Sequence, residues 1–151
     1  MTSPFPSDLT SATRDLDAAR AEISAVLAAL TDADLDHARR RGWSVRRVLK
    51  HLIQSEWLYA RLVSHLRDLS VPGGQTPPDA PPTATDAIGR LQASRRTLLA
   101  ALDGVNEDAF YRLRTLGHEE YSVLSVLENV ASHDREHAAQ IRAILRPPQN
   151  P

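Results

Sequence analysis

The chain has 151 residues, the length of one ordinary domain, and with 42% apolar and 25% charged residues it has globular composition. A net charge of −1 and a pI near 6.6 give no global attraction to nucleic acid. The absence of cysteine excludes disulfides, thiolate zinc sites, iron–sulfur clusters and a cysteine nucleophile.

The first predicted element is a helix over residues 7–30, where Leu9, Ala12, Leu16, Ala19, Ile23, Val26 and Leu30 recur at three- and four-residue steps. Residues 31–42 are polar and loop-like, with a short helical turn predicted at Asp32-Ala33-Asp34-Leu35. Ser44 is placed to cap the second helix, on which Val48, His51, Ser55, Leu58 and Leu62 form one stripe. Val71-Pro72-Gly73-Gly74 is expected to end it, and the prolines that follow (Pro77, Pro78, Pro81 and Pro82) are read as an ordered connection, not a domain linker.

The third helix is predicted over residues 85–102, with Ile88, Leu91, Leu98 and Leu102 inward and Asp103-Gly104 as its stop. Residues 106–121 carry no decisive pattern. Ser122 is a second cap, opening a fourth helix over residues 123–145 that Pro147-Pro148 terminates. No segment alternates with period two, so no strand is expected. The four amphipathic helices predict an all-α four-helix bundle, a single domain over residues 1–151 with a frayed tail after 146. The N-terminus lacks the basic and apolar regions of a signal peptide, and no run reaches the roughly 18 apolar residues of a membrane span. A cytoplasmic protein is therefore expected, with no membrane partner.

Chemistry concentrates in three histidines. His133 and His137 lie four residues apart on the stripe Val126, Val130, His133, His137, Ile141, Ile144, so both imidazoles point into the bundle. Asp134, Arg135 and Gln140 mark the solvated side of that helix. His51 interrupts the stripe of the second helix in the same way. An imidazole buried without a partner is costly, and neutral imidazole is the commonest protein ligand for divalent transition metals. One i, i+4 pair plus a third histidine from a facing helix makes three nitrogen ligands with a position left open. Three histidines that are only hydrogen-bonded in the core are the alternative at this point.

Two of these segments resemble the DinB/YfiT-like family. The run Gly42-Trp43-Ser44-Val45-Arg46-Arg47-Val48-Leu49-Lys50-His51-Leu52 is similar to the start of its second helix, and His133-Asp134-Arg135-Glu136-His137 followed by Gln140-Ile141 is similar to its fourth. The resemblance implies a bundle with an unusual connection order and a three-histidine site, here His51, His133 and His137, for nickel, zinc, iron or manganese. It also implies, for some members, thiol-dependent S-transfer or isomerisation with a low-molecular-weight thiol such as mycothiol or bacillithiol, and frequent pairing as a homodimer. A metal-dependent S-transferase or hydrolase acting on a small molecule is the expectation. A non-catalytic metal-dependent binding or stress-response module is the alternative.

Other candidates are weaker. Asn129 shares the face of His133 and is placed to hydrogen-bond a ligand. Glu56 is the nearest carboxylate to the turn after His51 and a candidate base, although a solvated glutamate is the plainer expectation. Trp43 is expected to pack as a staple beside the Ser44 cap. Trp57 is expected on a side face, at a dimer surface or under the proline-rich connection. Six basic residues among the twelve from Arg39 to Lys50 would suit phosphate, but the acidic balance and the few aromatics argue against nucleic acid.

Overall fold

The computed structural model describes residues 2–71 and 76–147. Five helices and one small hairpin follow in order: α1 (Phe5–Ala28), a 3-10 turn (Ala33–Asp36), α2 (Val45–Leu66), α3 (Ala84–Leu102), α4 (Glu107–Tyr111), β1 (Arg114–Leu116), β2 (Glu119–Tyr121) and α5 (Val123–Leu145). The fold is an all-α bundle of α1, α2, α3 and α5. No helix among the described residues is long and apolar enough to cross a membrane.

Capping chemistry sets the helix starts. The hydroxyls of Ser44, Thr83 and Ser122 accept from the amides of Arg47, Asp86 and Ser125, each three residues on. At Ser122 the bond is reciprocated by the Ser125 hydroxyl, which closes a capping box. The second helix ends at Leu66, five residues before the expected Val71. The amide of Leu69 bonds to the Ser64 carbonyl and that of Asp68 to the His65 carbonyl, with Asp68 left-handed at φ 56°, a Schellman stop made without glycine. Arg114 then donates to the His65 carbonyl and to the Asp68 carboxylate, tying the hairpin to this helix end. Pro72, Gly73 and Gly74, expected as the stop, lie outside the described residues, as does Pro148.

Contacts along the helices give their directions. Asp8 lines one groove with Leu124, Arg135 meets Glu22, and Ala29 and Leu145 line another groove, so α1 and α5 run parallel. Arg46 reaches Pro82 before α3, and Arg67 reaches Ala101 near its end, so α2 and α3 are also parallel. The two pairs oppose each other. Parallel neighbours cannot be joined by a tight turn, because the chain must return along a 22-residue helix of about 33 Å. This is why the α2–α3 connection is long. Its carbonyls are held by side chains of both helices: Arg46 donates to Pro81 and Pro82, Gln54 to Pro78, and Arg90 to Asp79 and Ala80. Proline carbonyls that no helix or sheet can use are thus satisfied.

Residues 106–121 resolve into α4 and the hairpin, so the expectation of no strand is corrected. Each strand has three residues, paired Arg114 to Tyr121 and Leu116 to Glu119 across Gly117-His118, with Gly117 at φ 66°. Three residues are too few to show alternation in a sequence.

Two apolar clusters fill the bundle. One contains Leu16, Val63, Leu98, Phe110 and Leu127; the other contains Ile23, Leu49, Ile53, Leu91 and Ile141. Between them each of the four long helices sends one charged residue into a shared ion cluster: Arg20 from α1, Glu56 from α2, Arg95 from α3 and Asp134 from α5. Glu56 and Asp134 are 2% and 1% exposed. Two stripe assignments shift accordingly. Leu58 is 56% exposed and Ile88 36%, whereas Glu56 and Arg95 take inward positions.

Candidate metal centre

His51 comes from α2 and His133 and His137 from α5, the antiparallel pair whose faces meet on one side of the bundle. Their ring nitrogens converge. The His133 Nε2 atom lies 3.2 Å from Nε2 of His51 and 3.0 Å from Nε2 of His137, and one nitrogen from each ring fits within 4.8 Å of the others. With metal–nitrogen bonds of about 2.1 Å, two imidazole nitrogens on one ion stand roughly 3.0 Å apart at a right angle and roughly 3.4 Å apart at the tetrahedral angle. The observed spacings lie in that interval.

The His137 Nδ1 atom is 2.7 Å from the Gln140 Oε1 atom, and with the proton on Nδ1 the imidazole donates to that amide oxygen. Its Nε2 then presents a lone pair to the cluster. Bearing a proton, Nε2 of His133 can donate to only one of its two neighbours and has no lone pair to offer the other; without the proton, it sets its lone pair against that of His137. A cation among the three nitrogens removes that repulsion.

Burial pushes the His133 imidazole down to about 4, helped by the neighbouring His137 and His51 rings and opposed by Glu136 and Asp134. Burial also lowers His51, again with His137 helping and Glu136 opposing. Both rings are therefore neutral at neutral pH, the form that binds metal. His133 ordinarily titrates near 6.5, so between there and about 4 the unfolded chain binds the extra proton and the folded chain does not. Metal-free protein should hold its full His133 contribution above pH 6.5 and lose stability as the pH falls toward 4. Thermal melts of chelated protein across this range should show a shallower slope in His133→Ala.

Aromatic rings wall the cluster. Trp43 meets His51 edge-to-face at 5.3 Å between centroids and carries the Arg47 guanidinium on its own face at 4.6 Å. Tyr59 stands edge-on to His133 at 6.2 Å, its hydroxyl pushed above the ordinary phenol range by burial. An open cavity of about 490 Å³ lies alongside, lined by Gly42, Trp43, Glu136, His137 and Gln140.

The weaker candidates are placed differently. Asn129 is exposed, one turn before His133. Glu56 is not solvated: its Oε2 accepts from Arg20 at 2.7 Å and from Arg95 at 3.0 Å, and its Oε1 from the Ser94 hydroxyl at 2.6 Å. Both oxygens are thereby engaged away from the histidines. Asp134, expected on the solvated side, instead joins the same cluster, accepting from Arg20 and Arg95 at 2.9 Å each. Trp57 is half-buried with Arg61 stacked on it. His37, His65 and His118 are exposed.

Sequence reasoning missed Gln140 and Glu136. The first could have been found from its place three residues after His137, one helical turn on. Removing it in Gln140→Ala should weaken divalent-metal affinity by about tenfold or more, the usual effect of losing a residue that orients a ligating imidazole. Competitive titration against a chromophoric chelator reads this directly, and an unchanged affinity would mean that Gln140 does not set the His137 tautomer.

An all-α bundle with three converging imidazoles on two facing helices defines a class of helical proteins equipped to hold a metal. The chain belongs to the DinB superfamily, whose family model matches residues 15–141. No curated protein and no solved structure matches it.

Proposed function

We propose that His51, His133 and His137 hold one divalent ion (nickel, zinc, iron or manganese) and that the protein uses it in S-transfer from a low-molecular-weight thiol, or in hydrolysis, on a small molecule. The observation that carries this reading is the convergence of three Nε2 atoms at 3.0 and 3.2 Å. Bound there, such an ion supplies Lewis acidity, lowering the pKa of a coordinated thiol or water and polarising a carbonyl.

The chain's own residues do the rest. Burial keeps His51 and His133 neutral and their lone pairs available. Gln140 orients His137. Three protein ligands leave coordination positions open to a substrate, whereas closed structural sites use four. The cavity beside His137 has room for a small molecule, with the Trp43 ring as an apolar wall and the Glu136 carboxylate as a proton acceptor.

The test is metal content by mass spectrometry, on protein purified without chelator or nickel resin, alongside turnover of thiol–electrophile and ester panels. About one equivalent in the wild type, lost together with turnover in His133→Ala, is the expected result. Turnover that survives loss of the ion would sink the catalytic reading, and a tightly held ion without turnover would leave a metal-dependent binding module.

A further inference from the structure

Across the bundle from the histidines, α1 and α3 touch only sparsely and leave a groove of about 410 Å³ between them. Its walls are apolar, from Leu27, Ile88 and Leu91, and three guanidinium-bearing side chains, Arg20, Arg95 and Arg96, also line it. Among the described residues no carboxylate lines the groove. The volume falls within the range that holds a small organic molecule.

The arginines are not saturated. Arg20 makes four hydrogen bonds, to Asp134, Glu56 and the Leu91 carbonyl, and Arg95 makes three, to Glu56, Asp134 and the Leu16 carbonyl. Two guanidinium groups carry ten N–H donors, so three make no hydrogen bond among the described residues. The charges of Arg20 and Arg95 are balanced by Glu56 and Asp134. Arg96, exposed at the groove, adds a positive charge that this cluster does not match. An apolar trough with cationic donors and no acid is complementary to an apolar molecule bearing a single negative charge.

We propose that this groove binds a small amphiphilic carboxylate, its hydrocarbon part on Leu27, Ile88 and Leu91 and its carboxylate on Arg96 and the free N–H groups of Arg20 and Arg95. The site is separate from the histidine cluster, with the buried ion cluster between them, and does not depend on the metal reading. Bonds from arginine to carboxylate are charge-assisted, which sets the sign of the ligand as well as its place.

Isothermal titration with octanoate, with octylamine as the cationic control, tests the proposal on the full chain. Octanoate should bind at one site per chain and octylamine should not. Arg96→Glu, a surface change, should weaken octanoate by about tenfold or more, equivalent to about 1.4 kcal/mol, without altering metal content. Ala28→Trp, which fills the groove, should abolish binding while the circular-dichroism melt shows a folded protein. Should Ala28→Trp fail to fold, the Arg96→Glu arm still decides. Equal binding of octylamine, unchanged octanoate affinity in either folded variant, or no heat at millimolar octanoate would overturn the proposal. A dimer that covers the groove and that octanoate does not dissociate, seen by sedimentation, would overturn it as well.

Discussion

Glu56→Ala is expected to destabilise the fold by about 3–5 kcal/mol, a large fraction of the stability of an ordinary domain. Glu56 accepts from Arg20, Arg95 and Ser94 at a point where its side chain is 3% exposed. Removing it leaves two guanidinium groups facing one carboxylate between two apolar clusters. Water cannot screen the surplus charge there. Burial alone pulls the Arg20 guanidinium down, but Glu56 and Asp134 outweigh it and hold Arg20 above its ordinary value. The loss of Glu56 therefore removes a large part of what compensates a buried cation. For a chain of this size the melting temperature should fall by roughly 10 °C or more. The matched control is Asp36→Ala, which breaks the exposed Arg46–Asp36 pair and should cost no more than about 1 kcal/mol. Equal, small effects from both would mean that the ion cluster does not organise the core.

A cluster of this kind need not add stability over a well-packed apolar layer, because desolvating four charges costs about what their attraction returns. Its consequence is positional. With one member on each of the four helices and no buried side-chain polar atom among the described residues left without a partner, a helix displaced by one turn would strand charges in the core. Asp134 also follows His133 directly in the chain, so the register that satisfies the ion cluster is the register that aims the histidines at His51.

The second large effect is expected from the metal. Adding nickel, zinc, iron(II) or manganese to chelated protein should raise the melting temperature, since an ion that binds only the folded chain stabilises it by mass action. At a free concentration of a hundred times Kd this contributes about 2.7 kcal/mol. In a chain of this length that is roughly 5–10 °C. His133→Ala should abolish the shift, because His133 Nε2 is the atom common to both short nitrogen–nitrogen contacts. Gln140→Ala should keep the shift but require more metal. Chelator should reverse it in the wild type. A wild-type melting temperature indifferent to all four ions would reduce the three imidazoles to a hydrogen-bonded core feature, and the proposed function would lose its support.

Much of this was legible from the residues alone, for identifiable reasons. Helical periodicity placed His133 and His137 on the stripe with Val126, Val130 and Ile141, and local hydroxyl chemistry placed the caps at Ser44 and Ser122. These signals are local: they depend on neighbours within about a turn. The four long helices and the facing position of His51 followed from them, whereas the likeness to the family rested on the motifs at residues 42–52 and 133–141. The end of α2 did not, because a Schellman stop on Asp68 uses a residue that tolerates, without announcing, a left-handed backbone. Nor did the short hairpin, whose strands are too short to show alternation. The largest thing hidden was the ion cluster. By residue type Arg20, Glu56, Arg95 and Asp134 belong on solvated faces, and only their meeting from four helices makes burial tolerable. The helices and their histidines were thus determined by local pattern. Which charges face inward, and the groove that two of those arginines line, were decided by tertiary structure, because a buried charge is stable only beside a partner that the chain brings from elsewhere.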